Sequence, residues 1–432
     1  MFFVKLIERG TCMNHWKNKL DTEKKSLESM ESILFNHPEL GFKESETRRI
    51  LLDYLNSNNI HIYQDYGLSG FSVQIGQEKP HIGLIAEMDA LVVLDHPNAG
   101  KDGAAHACGH HLQTTILSHV FKLWNEYKDK PSGTLTCYFI AAEEFVDLDF
   151  RLDLQANKRI ELLSGKQNLI LQDAFKDVDC FLSVHTMGET SAPSMEVNAS
   201  LSGFIYKKFH FKGQAAHAAV MPHMGINALN AQILTQNAFA LYRETFLEED
   251  RIRLHLITTN GGHSVNSVPS DTILEGYVRS IHPERLLELN QNLNHIATHC
   301  AESLFASVEI EDRMGYMPLI QSRELSDILL PYIEEIIPLN QIVDHQKSFA
   351  AGDMGDLSLF KPTIQLGFSG CAGLVHGKNF CMANSEEALV YPAYVLLSAI
   401  EDMMRNPSKL ESILESYPTK MTIEDYRKMH NL

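Results

Sequence analysis

Long apolar runs are missing from this 432-residue chain, and none reaches the roughly 20 residues that a membrane-crossing helix needs. The opening MFFVKLIERG holds a short apolar patch, but Lys5, Glu8 and Arg9 interrupt it and leave no secretory core segment. Both absences predict a cytoplasmic protein. Positive charge is scarce as well. Lys plus Arg number 37 against 55 Asp plus Glu, a net charge of -18, so a phosphate backbone or an anionic lipid surface is repelled. Neither nucleic acid nor membrane is expected as a partner. The seven cysteines are an odd count scattered from Cys12 to Cys381, the distribution of reduced thiols and not of a disulfide framework. Internal repeats, Pro/Ser linkers and low-complexity tracts are also absent, and the 44% hydrophobic content belongs to an ordered globular chain.

What is present is enough length for two domains, each with its own core. Leu27, Met30 and Leu34, and after HPELGF the residues Ile50, Leu51, Tyr54 and Leu55, recur at helical spacing and predict an opening helical pair. Short apolar runs bounded by polar turns follow at HIGLIAEMDA, GTLTCYFIAAEE and DCFLSVHTM, with a helix over 112–127 between the first two. That alternation predicts an α/β fold with a mostly parallel central sheet. Beyond Ser200 the order becomes strand 204–212, helix 225–244, strands 252–260 and 272–281, helix 283–304 and strand 306–313. This is a βαββαβ unit, a ferredoxin-like α+β domain. The run TIQLGF and a last helix containing Tyr394 to Met404 return to the first layer. The small domain, 201–314, is therefore expected as an insertion in a larger one made of 1–200 and 315–432.

The runs HIGLIAEMDA, GTLTCYFIAAEE and DCFLSVHTM each end in residues able to bind metal. HACGHH holds Cys108 and His110 two apart where a bend can aim a thiolate and an imidazole at one ion. AAEE supplies Glu143 and Glu144, one to ligate and its neighbour to take a proton. SVHTM and GLVHGKNF add His185 and His376. Singly, these are a chance C-x-H, a solvated strand end and hydrogen-bonded core histidines. Together, Cys108, His110, Glu144, His185 and His376 form a mixed sulfur, nitrogen and oxygen set suited to two divalent ions, with Glu143 beside them as base.

HPELGF, AEMDAL, HACGH, AAEE, SVHT, GDMGDLS and the final His376 together resemble the amidohydrolase branch of the aminoacylase and glutamate-carboxypeptidase superfamily, which includes hippurate, auxin-conjugate and aminobenzoyl-glutamate hydrolases. The resemblance implies a zinc-peptidase-like catalytic domain and two divalent metals, Zn or Mn with Co or Ni as alternatives. It places them on the same five ligands, with Glu143 as base. It also implies that the inserted domain is a lid through which a homodimer forms. There His217, in GQAAHAA, polarises the scissile carbonyl from the partner subunit, and Asn266 and Arg279 hold a substrate carboxylate. Asp89 orients a ligand through a hydrogen bond. Asp353 and Asp356 are read as supporting structure, although as isolated loop acids they would be exposed. The substrate implied is an N-acyl amino acid or a short peptide-like amide with a carboxylate; the alternative is an inactive metal-containing binding protein for carboxylated ligands.

Three departures stand out. His111 follows HACGH where relatives carry Asp or Asn, a change that bears on metal choice or on charge around the ligands. Glu87 stands where many have Asp. The segment EFVDLDFRLDLQANKRIELLSGKQ is longer and more charged than is common.

Overall fold

The computed structural model describes residues 2–100, 102–417 and 421–432. Its contacts divide the chain into two units. One comprises Met1–Ala199, Ile320–Gln346 and Asp356–Ile423; the other comprises Ser200–Leu319, Lys347–Gly355 and Glu424–Leu432.

The first unit is built on an eight-stranded sheet. At its centre Thr134–Ile140, His81–Glu87, Cys180–Thr186 and Thr363–Phe368 lie side by side, all parallel. His81–Glu87 and Thr134–Ile140 are buried at every position, which explains their continuous apolar reading: helices cover both faces of such a sheet, so no face needs polar residues. The edges depart from the parallel rule. Gly70–Ile75 pairs antiparallel with Thr134–Ile140, and Met195–Val197 pairs antiparallel with Thr363–Phe368.

The opening helical pair is present as Phe2–Phe35 and Ser45–Ser57, the second burying Thr47, Ile50, Leu51 and Leu55 at helical spacing. His110–Glu126 lies between the first two central strands in sequence and buries nearly its whole length. Tyr391–Arg405 packs into the same core. It is not the last helix, because Pro407–Ser416 and Ile423–Met429 follow. The charged stretch after Glu144 folds as two short helices, Leu148–Ala156 and Gly165–Leu171.

The second unit is a four-stranded antiparallel sheet in the order Arg253–Asn260, Asp271–Ser280, Gly203–Lys212, Ser307–Met314. Alternate residues of the strands, among them Ile205, Phe209, Leu274 and Val278, pack against Leu286, Leu289 and Leu293 of the helix Pro283–Ser303 and Ala228 and Ala231 of Ala228–Tyr242. This is the βαββαβ order that the sequence predicts. Among the described residues, no helix is long and apolar enough to cross a membrane.

Candidate metal centre

Because the central strands of the first unit are parallel, their C-terminal ends share one edge of the sheet, and the loops leaving that edge meet there. Two of these loops need unusual backbone. Gly109 has φ 91°, and a Cβ at that position would lie 2.6 Å from Thr186 Cγ2, so only glycine fits between Cys108 and His110. Ala142 has φ 59°, a left-handed turn that ends the strand Thr134–Ile140 and splits Glu143 from Glu144.

The side chains converge accordingly. Cys108 Sγ lies 3.5 Å from His185 Nε2 and 3.3 Å from His376 Nε2, and His376 Nε2 lies 3.5 Å from Glu144 Oε1. His110 Nε2 stands 3.2 Å from Glu87 Oε2 and 3.8 Å from Glu143 Oε2. The ligand-type atoms of Cys108, His110 and His185 lie within 4.8 Å of one another, as do those of Cys108, Glu144 and His376 and those of His110, Glu143 and Glu144. The sets overlap at Cys108, His110 and Glu144, the pattern of two neighbouring cation positions.

A divalent cation fits these residues. His110 Nε2 and Glu144 Oε1 are buried and, despite the neighbours just named, make no well-aligned hydrogen bond, a costly state that a metal bond would remove. The opposite ring nitrogens are already engaged: His110 Nδ1 lies 3.0 Å from the Asp89 carbonyl and 3.2 Å from its Oδ1, and His185 Nδ1 lies 2.9 Å from the Thr186 carbonyl. That leaves each Nε2 turned to the cluster. Asp89 also accepts the Glu144 N–H at 2.8 Å, joining two candidate ligands through one carboxylate.

Electrostatics agree with this arrangement. Burial, with Glu144 adding to it, drives the Cys108 thiol well above its ordinary range, so a thiolate there calls for a positive partner. Burial lowers the pKa of His185 and favours the neutral imidazole that metals take. Burial works against the Glu87 carboxylate, yet Lys166 at 2.6 Å, with His110 and His185, outweighs it and holds the group near a pKa of about 2.

His111 is not brought to the cluster. Its ring packs on Phe35 and His106 at 5.0 and 5.1 Å, its Nε2 lies 3.3 Å from Glu31, and burial lowers its pKa to about 3, so it carries no charge at neutral pH. Asp353 and Asp356 are fully buried, unlike isolated loop acids at a surface; Asp356 lies 3.4 Å from Gln167 Nε2.

In the second unit, His217 and Asn266 come together. Residue 217 forms a bridge with Ser267, and the Asn266 carbonyl accepts the Ala218 N–H at 2.9 Å. Arg279 is not with them: the extended strand from Asp271 to Arg279 alone covers roughly 27 Å. Its guanidinium lies over Tyr277 and donates to the Phe349 carbonyl at 2.6 Å.

Residues that no sequence motif singles out complete the first-unit site. Gln113, one turn along from His110, accepts the Glu87 N–H through its side-chain oxygen and donates to Glu87 Oε2 at 3.1 Å and to the Val184 carbonyl at 2.9 Å. Glu44 accepts the Ala142 N–H at 2.8 Å, and Arg151 donates to the Glu144 carbonyl. Their only sequence signal is a polar residue inside or beside an apolar helical stretch.

Comparison with known proteins bears on this arrangement. The chain is 30% identical over 249 residues to one of the p-aminobenzoyl-glutamate hydrolase polypeptides of Escherichia coli, covering 54% of this chain and 47% of that one. It is 28% identical over 303 residues to N-acetylcysteine deacetylase of Bacillus subtilis, covering 68% and 75%. Its fold matches a dinuclear metal-binding M20 peptidase from Bacillus subtilis with a TM-score of 0.68 at 19% identity, over 89% of this chain and 99% of that one. The model of peptidase family M20/M25/M40 matches residues 83–402, most of the chain and all of the clustered side chains, and the chain belongs to that family.

Proposed function

We propose that Cys108, His110, Glu144, His185 and His376 hold two divalent cations, zinc or manganese, and that Glu143 is the general base that cleaves the amide bond of an N-acyl amino acid or a short peptide-like substrate with a carboxylate. The chain is a metal-dependent hydrolase by family. What most supports the ligand set is convergence: Cys108 and His376, 268 positions apart, stand 3.3 Å from each other with His185 and Glu144 alongside. Sulfur, nitrogen and oxygen donors together suit zinc, and the carboxylates also admit manganese. Both relatives named above act on amides of an amino acid, and this supports the substrate class.

Divalent cations held by these residues would supply Lewis acidity toward a water and the substrate carbonyl. The chain's residues do the rest. Glu143, next in sequence to Glu144, takes the proton from the attacking water and returns it to the leaving amine. Asp89 and the Thr186 carbonyl keep His110 and His185 in the tautomer with Nε2 forward.

For the second unit we propose a lid that dimerises. His217 and Asn266 act as a pair, polarising the scissile carbonyl and binding the substrate, and Arg279 takes the carboxylate. The length of strand between them favours the pair's coming from the partner subunit, since one chain cannot bring both ends of that strand to one small molecule. Arg253–Asn260 is the sheet's edge strand, with Ile257 53% exposed, and Leu241 on the neighbouring helix is 72% exposed, a surface suited to a second copy.

The test is a panel of N-acetyl, N-benzoyl and aminobenzoyl amino acids offered to metal-loaded wild type and Glu143→Gln. Turnover of at least one by wild type, lost in the variant, supports the reading. Tight binding with no turnover across the panel would make the protein a carrier of carboxylated ligands.

A further inference from the structure

The charged segment that follows Glu144 carries Arg151 into the interior on the helix Leu148–Ala156, at 0% exposure. Its Nη1 donates to the Leu163 carbonyl at 2.7 Å and to the Ala142 carbonyl at 3.3 Å, and its Nη2 donates to the Glu144 carbonyl. From the other side, Glu44 Oε1 accepts the Ala142 N–H and Asp89 Oδ2 accepts the Glu144 N–H, each at 2.8 Å. Main-chain groups on either side of Glu143 are thus gripped at both edges, the N–H groups by carboxylates and the C=O groups by one guanidinium. The Phe42 ring lies 5.4 Å from that guanidinium, and Gly41 leaves it room, since a Cβ at Gly41 would come within 2.4 Å of Arg151 Nη2. Ala142 at φ 59° is in a backbone state that an alanine keeps only where its surroundings hold it.

We propose that Arg151 is a positioning residue for the metal centre, fixing the turn at 142–144 so that Glu144 faces Cys108 and His376 while Glu143 faces His110. The proposal rests on the reading of Glu144 as ligand and Glu143 as base. A planar fork can hold several carbonyls at once, and a lysine ammonium cannot reproduce that geometry. Losing the fork lets the turn relax toward ordinary backbone and takes both glutamates out of line together.

Arg151→Lys in the full chain tests this by three measurements: zinc affinity by chelator competition, kcat and KM on the best substrate of the panel, and melting of the metal-stripped protein. The expected result is zinc affinity down ~10- to 100-fold, the loss typical when the groups that orient ligands are removed. With it, kcat falls while KM stays near the wild-type value, and the metal-stripped protein still melts in one cooperative transition, at a lower temperature because buried carbonyls lose a donor. Zinc affinity and kcat within about twofold of wild type would overturn the proposal, as would a drop in melting temperature with affinity unchanged. If Arg151→Lys does not fold, Phe42→Leu decides, because it loosens the guanidinium without removing its donors; a smaller loss of zinc affinity supports the clamp and an unchanged affinity refutes it. Wild-type protein that takes up no zinc would instead sink the reading of the site, and the clamp with it.

Discussion

Glu143 and Glu144 are neighbours in sequence with different surroundings. Glu144 lies against His376 and Cys108, while Glu143 stands 3.8 Å from His110 Nε2. Glu143→Gln should therefore lower kcat by ~10²- to 10⁴-fold while metal content stays at the wild-type level, because the substitution removes a proton acceptor and not a ligand. Metal loss in step with activity would move Glu143 into the ligand set. Across Gly367 from His185 in the sheet, burial raises Glu196 to about 7 and leaves its Oε1 without a hydrogen bond. A carboxyl whose folded pKa lies above its unfolded value of 4.5 contributes full stability below that value and loses it as pH climbs toward about 7. The melting temperature should fall across that window by the equivalent of about 2 kcal/mol, allowing for partial exposure, and Glu196→Gln should flatten the slope. The same slope in the variant would locate the titration elsewhere. Glu144 and His185 are legible in the sequence because each comes at the end of an apolar run, where a polar residue stands out, and Cys108, His110 and His376 because HACGHH and GLVHGKNF set metal-binding residue types in short turns beside such runs. Glu44 and Lys166 are not, since their partners Ala142 and Glu87 lie 98 and 79 positions away; Arg151 is not, since an arginine among charged neighbours gives no sign that it is buried; and GDMGDLS marks Asp353 and Asp356 without showing that they are buried.

At the scale of elements, the site depends on how strands and helices end. Gly109 caps the helix His110–Glu126 in a left-handed conformation and stands against Thr186 at the end of the strand that carries His185. Gly109→Ala should cost about 2–3 kcal/mol of stability from strain and overpacking together, and should separate Cys108 from His185 enough to lose bound metal. A variant that melts like wild type with full metal content would show that the loop has room the structure does not give it. The fully buried parallel strands and the amphipathic helices are readable because a single burial pattern runs through each. Gly70–Ile75 is hard to recognise as an antiparallel edge strand, since six residues with a glycine at the first position resemble a loop. The helix Leu148–Ala156 is hidden by its charge, because the residues it buries, Arg151 and Leu154, form no apolar stripe.

For the whole molecule, the proposed partner contribution makes an unusual prediction. Mixing Glu143→Gln chains with His217→Ala chains should restore activity that neither has alone, to about a quarter of wild type if subunits exchange at random, because each mixed dimer holds one intact site. No recovery, with exchange verified, would place His217 in the site of its own chain. The βαββαβ order of the second unit can be read from sequence alone, since its strands alternate inward and outward residues. The separation of Arg279 from His217 and Asn266 cannot, because it follows from the direction of one strand within the sheet. The central claim is that a thiol, three imidazoles and a carboxylate from distant segments hold two cations. Metal content by mass spectrometry, on wild type and on Cys108→Ala purified alike, tests it most directly. The account predicts two divalent ions per wild-type chain and one or none in the variant; a metal-free wild type, or a variant that keeps both ions, would contradict it.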